Sequence, residues 1–151
     1  MFAGCNSLAD IDAISSWDTS SVTNMSSMFS SCSSLTDIGA ISGWDTSSVT
    51  NMYSMFQNCS NLEEVDLSSW DTSSLTSIGW MFYGCEKLEE LDLSSWDTSR
   101  VRDMGSMFRN CYKLEKVNLS GWDTSSVTDM YYMFNSSSRL ETIYATDSFI
   151  V

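Results

Sequence analysis

The chain has 151 residues, 20 acidic and 7 basic, giving a formal net charge of -13, and it contains neither histidine nor proline. This length suits one domain with its own core, and 42% hydrophobic residues is not a disordered composition. The charge argues against nucleic acid and anionic membrane surfaces as partners, and the missing histidine removes imidazole bases, His-dependent triads and His metal ligands together.

Met1-Phe2-Ala3-Gly4-Cys5 lacks the basic and apolar regions of a signal peptide, and no run of about 18 apolar residues follows, so no membrane insertion is expected. Met1-Phe2 instead opens a repeat. Met-Phe recurs at 28, 55, 81, 107 and 133, at intervals of 27, 27, 26, 26 and 26 residues. Cysteine stands four residues after the Met at 5, 32, 59, 85 and 111, with Ser137 in the sixth unit, and Trp-Asp-Thr-Ser starts at 17, 44, 70, 96 and 122. The first two units carry one extra residue, in Ile11-Asp12-Ala13-Ile14 and Ile38-Gly39-Ala40-Ile41, where later units read Val65-Asp66-Leu67 or Leu91-Asp92-Leu93. The insertion falls in a segment of strand spacing, which predicts a bulge.

Residues 59–85 show the physics of one unit. Val65-x-Leu67 has a period of two, which predicts a strand. Leu75, Ile78, Met81, Phe82 and Cys85 follow at steps of 3, 3, 1 and 3, which predicts a short helix or 3-10 turn. Asp71-Thr72-Ser73-Ser74 supplies capping oxygens between the two. The residue before each Cys column position is Gly4, Ser31, Asn58, Gly84, Asn110 or Ser136, and Gly and Asn suit the left-handed conformation that ends a helix. One unit cannot bury these side chains alone. Stacked units can, so the fold expected is an α/β repeat solenoid of about five and a half coils, with a short parallel strand and a short helix or 3-10 turn per coil, over residues 1–151. The last unit, 140–151, has lost the Trp and gained Phe149-Ile150-Val151, which is expected to cap the final coil. The chain opens in mid-motif, so a fragment of a longer array is expected, with end-to-end packing against another copy as the alternative.

The pattern Cys-x-x-Leu-x-x-Val/Leu-x-Leu-x-x-Trp resembles a leucine-rich-repeat core. The full unit, Leu-Asp-Leu-Ser-Ser-Trp-Asp-Thr-Ser followed by Val-Thr-x-Met-x-x-Met-Phe-x-x-Cys, resembles the 26-residue bacterial surface protein repeat of the BspA-like family, found in mycoplasma surface lipoproteins and other microbial surface proteins. The resemblance covers essentially the whole chain. It implies a cell-surface or extracellular location, adhesion or host interaction, and no enzymatic activity.

The repeated polar positions offer several chemistries. The cysteine column reads as reduced, buried filler; neighbouring thiols lie within disulfide reach, yet their number is odd, and no Cys-x-x-Cys zinc spacing occurs. Asp18, Asp45, Asp71, Asp97 and Asp123 read as caps for the following turn, with a calcium ladder as the sharper alternative. Thr19, Thr46, Thr72, Thr98 and Thr124 read as turn hydroxyls or, alternatively, as a flat ice-binding array, and Thr23, Thr50, Thr76 and Thr128 form a second column broken by Arg102. No cofactor is expected. Asn24, Asn58, Asn118 and Asn135 head glycosylation sequons, at a frequency chance explains in a chain with 44 Ser and Thr.

The variable positions carry the binding expectation. On the strand face these are Glu64, Asp66, Glu90, Asp92, Lys116, Asn118 and Tyr144, acidic at one end and Lys/Tyr at the other. Tyr53, Trp80, Tyr131 and Tyr132 fall in a two-position stretch before Met-Phe and are expected to form a patch on the helical side. Tyr83 and Tyr112 are further aromatics off the core columns. The leading expectation is a non-enzymatic binding or adhesion module with an extended acidic surface for a protein or glycan partner. The alternatives are a rod or filament subunit that self-associates end to end, and ice or calcium-dependent surface binding. Residues 1–86 hold ten acidic and no basic groups, residues 87–151 ten acidic and seven basic, so a basic partner is steered to the first half.

Overall fold

Alternate backbone N–H groups determine the architecture, and the segment 78–85 shows how. Ile78, Trp80, Phe82 and Gly84 donate to the carbonyls of Asp103, Gly105, Met107 and Arg109, one repeat later, at 2.9–3.0 Å. Met81, Tyr83 and Cys85, between them, donate three residues back, to Ile78, Trp80 and Phe82 at 3.1–3.3 Å. Of the short helix or 3-10 turn expected, the helix therefore does not form, and the three-residue bonds close isolated turns. Two left-handed residues in each unit prevent the helix, Trp80 (φ 61°) and Gly84 (φ 70°) here, and they turn every second N–H outward to the neighbouring unit. The position before each Cys is left-handed in all six units, as its Gly and Asn members predict.

The computed structural model describes residues 1–150 as a small, mostly non-helical domain in which equivalent residues of successive units pair in parallel. Strands β1 (Glu90–Asp92), β2 (Lys116–Asn118) and β3 (Thr142–Tyr144) form a parallel sheet in the order β1-β2-β3, with Leu91, Val117 and Ile143 in register. A second line of parallel bridges joins Asn24, Asn51, Ser77, Asp103 and Asp129. No closed barrel is present among the described residues. In the first two units the extra residue makes no bulged strand. It closes 3-10 turns at Asp12–Ile14 and Gly39–Ile41, where Asp10 and Asp37 accept the N–H two residues on and Ile14 and Ile41 point into the core.

The core is built from like on like. Phe2, Phe29, Phe56, Phe82, Phe108 and Phe134 stack with centroids 5.4–6.0 Å apart and planes within 16°. The four inner rings are fully buried, each stabilising the fold by roughly 1.5–3 kcal/mol through removal from water. Trp44, Trp70, Trp96 and Trp122 are buried too, and each indole Nε1 donates to a carbonyl of the preceding unit, Ile14, Ile41, Leu67 and Leu93, at 2.9–3.3 Å. In the final unit Phe149 packs against the core, while Ser148 and Ile150 bond to Thr124. Val151 lies outside the described residues.

Candidate binding groove

The repeated polar columns are largely occupied by structural bonds. Thr19, Thr46, Thr72, Thr98 and Thr124 are buried, and the first four hydroxyls donate to Asp45, Asp71, Asp97 and Asp123 carbonyls of the next unit. They form no surface array, because an inward Thr satisfies a carbonyl that the turn leaves free. The second column is exposed, with Thr50 and Thr76 donating to Thr23 and Thr50 carbonyls. Asp18, Asp45, Asp71, Asp97 and Asp123 are surface residues whose Oδ1 accepts the N–H of the serine two residues on. The Ser20, Ser47 and Ser73 hydroxyls, then their N–H groups, hold Asp18, Asp45 and Asp71 below the usual carboxylate range; for Asp123 the Ser125 N–H leads. They cap turns rather than helices. All five cysteines are free thiols; Cys32, Cys59, Cys85 and Cys111 are buried and Cys5 is exposed. Each buried Sγ donates to a Phe carbonyl of the preceding unit at 3.1–3.3 Å, and Ser137 Oγ does the same to Phe108 at 2.6 Å. Ser137 therefore replaces a donor with a donor.

On the sheet face, Glu90, Asp92, Lys116, Asn118 and Tyr144 come together around a depression of about 360 Å³. Its charges are paired across neighbouring strands. Lys116 Nζ lies 2.6 Å from Glu90, Asn118 Nδ2 donates to Asp92 at 3.1 Å, and Lys87, Lys113 and Arg139 pair with Glu63, Glu89 and Glu115. Glu64 and Asp66 are exposed on the preceding unit, Glu64 bridging in parallel to Asp37 and Asp66 capping Ser68.

The aromatic positions converge elsewhere. Tyr53, Trp80, Tyr131 and Tyr132 line one open groove of about 350 Å³ with Asp103, Gly105, Ser106, Arg109 and Asp129. The column of parallel bridges forms its base. Asn51, Asp103 and Asp129 each accept, through Oδ1, the N–H two residues on, from Tyr53, Gly105 and Tyr131 at 2.8–3.0 Å. That second column reads Tyr53, Gly79, Gly105, Tyr131, so two glycines separate two tyrosines. A Cβ at Gly79 would meet Asp103 Oδ1 at 2.6 Å, and one at Gly105 would meet Asp129 Oδ1 at 3.1 Å; the glycines make room for carboxylates. The next column is left-handed throughout, Ser27, Ser54, Trp80, Ser106 and Tyr132, with φ between 53° and 61°. For bulky residues this backbone costs about 1–3 kcal/mol, so Trp80 and Tyr132 hold their places against a local penalty.

The rings interlock. Trp80 stacks on Tyr83 at 4.6 Å, Tyr131 lies 3.9 Å from Tyr132, and Tyr131 Oη donates to Tyr132 Oη at 3.2 Å. The Arg109 guanidinium sits 4.9 Å from the Tyr132 ring centre and 6.0 Å from that of Tyr83, its Nε buried without a partner among the described residues. Partial burial, then the Asp103 carboxylate, raises the Tyr53 phenol above its usual value, and Asp129 adds to the shift. Sequence reading placed the four aromatics together but missed Asp103, Asp129, Gly79, Gly105 and Arg109. The Gly-Gly gap between two tyrosines in one column was the available signal.

A family model described as "Mycoplasma protein of unknown function, DUF285" matches residues 1–92 and again 66–146. No curated protein and no solved structure matches the chain.

Proposed function

The chain belongs to the DUF285 family of mycoplasma proteins, and from that premise we propose that it is a leucine-rich-repeat-like solenoid of the BspA type, serving as a non-enzymatic binding module at a cell surface. The observation that carries this reading is the groove. Four large aromatics, of which Tyr53, Tyr131 and Tyr132 are 38%, 69% and 45% exposed, share one concave surface on a rigid ladder, the composition of an interface centre. Parallel pairing of equivalent residues supports the solenoid.

The test is a binding panel of host-cell surface proteins and glycans, read against the chain and a Tyr53→Ser/Tyr131→Ser variant. Serine already occupies that column at Ser26, so the variant keeps the fold. Binding lost in the variant supports the module. Panel binding indifferent to the variant removes the groove from the reading.

A second reading, an end-to-end rod, rests on a different surface. Met1, Trp17, Val22, Met25 and Met28 line an apolar cavity of about 500 Å³ at one end of the ladder, with Trp17 40% exposed.

A further inference from the structure

The ligand chemistry of the groove follows from its hydrogen-bonding inventory. Its acceptors are the Asp103 and Asp129 carboxylates, each with Oδ1 committed to one backbone N–H. Asp103 Oδ2 also receives the Ser77 hydroxyl at 3.2 Å. Among its donors Tyr131 is committed to Tyr132, and the Arg109 guanidinium lies on the tyrosine rings; two carboxylates against this one cation leave the groove net negative. A sugar hydroxyl both donates and accepts. An ammonium or guanidinium only donates, and its charge is attracted to carboxylates and ring faces alike. The groove already seats one such group, since the Arg109 guanidinium rests against Tyr132 and Tyr83.

Resting on the binding-module reading, we propose that the groove between Tyr53 and Tyr131 takes cationic side chains, lysine or arginine, from a basic segment of a partner protein. Tyr53 and Tyr131 stand three units apart in one column, about 14 Å at the usual strand spacing. That span accommodates an extended peptide rather than a single side chain, with the glycines at 79 and 105 letting it approach the carboxylates. The net charge of -13 steers such a partner inward and repels acidic competitors.

The test uses hexalysine, hexaarginine, hexaserine and cellohexaose as probes, with binding followed by Trp fluorescence and titration calorimetry. The decisive variant is Asp103→Asn/Asp129→Asn. Asn24 and Asn51 occupy the same column and make the same Oδ1 bond, so the substitution removes charge and keeps the turn. Expected are salt-dependent binding of both cationic peptides and a loss of about tenfold or more in the Asp variant, which corresponds to 1.4 kcal/mol. The control Glu86→Gln/Glu141→Gln, two exposed carboxylates outside the groove lining, is expected to leave affinity unchanged. Equal loss in both variants means diffuse charge attraction and overturns the site. Cellohexaose binding that depends on Tyr53 and Tyr131 but not on the carboxylates overturns the cationic ligand while leaving the binding module standing. Binding of no probe, with panel binding still lost in the tyrosine variant, also overturns the cationic ligand alone.

Discussion

The Cys85 thiol combines two constraints in one atom. It fills the core, and it gives a second hydrogen bond to the Phe56 carbonyl, which already accepts the Cys59 N–H within its own turn. Burial pushes the Cys59 and Cys111 thiols up to about 12 and Cys85 well above its usual value. Since thiolate is the reactive form, the native chain at pH 8 is expected to react rapidly with an aromatic disulfide reagent at Cys5 alone, and at all five cysteines once unfolded. A second fast thiol in the native state contradicts this packing. The raised values also set a pH limit. The folded thiols titrate above the unfolded ones, so their stabilisation is complete below about pH 8.5 and is lost as pH rises toward 12; melting temperature should fall over that window. Cys85→Ala, which removes the second of the two bonds to the Phe56 carbonyl, is expected to cost about 0.5–1.5 kcal/mol in urea unfolding, and Cys85→Ser less, following Ser137. The capping aspartates act at the opposite end of the scale. Asp18, Asp45, Asp66, Asp71, Asp92 and Asp123 are held low, so their contribution is present at neutral pH and lost as pH falls through about 4.

At the scale of the element, one unit hands its bonds to the next, and the seams respond to substitution accordingly. Gly43 and Gly121 occupy equivalent positions before a Trp. A Cβ at Gly43 meets nothing within 4 Å, whereas at Gly121 it collides with the Ser94 carbonyl oxygen. Gly43→Ala is expected to be neutral or slightly stabilising and Gly121→Ala to cost roughly 1–3 kcal/mol, measured by chemical denaturation. Removing one whole repeat, residues 67–92, joins equivalent positions and should leave a cooperatively melting chain of lower Tm, where removing 67–79 should not. The columns, their period and the left-handed site before Cys were legible because each depends on residue type at fixed spacing. The choice between helix and turn was not, because steps of 3, 3, 1 and 3 fit both; what decides is the second left-handed column, and Ser27, Ser54, Trp80, Ser106 and Tyr132 include no glycine to announce it. The extra residue at Ile11–Ile14 was visible, but its 3-10 closure depends on the Asp10 carboxylate accepting the Asp12 N–H and the Asp12 carbonyl accepting the Ser15 N–H, which composition does not reveal. Asp103 and Asp129 were obscured for a similar reason, since their column also holds Asn and Ser, all of which make or permit the same pairing.

For the whole molecule, charge and ends matter most. The apolar cavity at Met1 and Trp17 predicts that particle mass, measured by light scattering, rises with concentration, and that Trp17→Asp abolishes the rise. A mass constant at that of one chain removes the rod reading. The backbone bonds that leave each unit also have a direction. Among the described residues they run between successive units, 24 to 28 residues apart, and none ties the first unit to the last. Tension applied between the two ends would then meet these bonds a unit at a time. Each unit that peels away would release 26 residues, a contour of roughly 90 Å. A chain held at both ends would yield in discrete steps, lengthening while its remaining units stay folded.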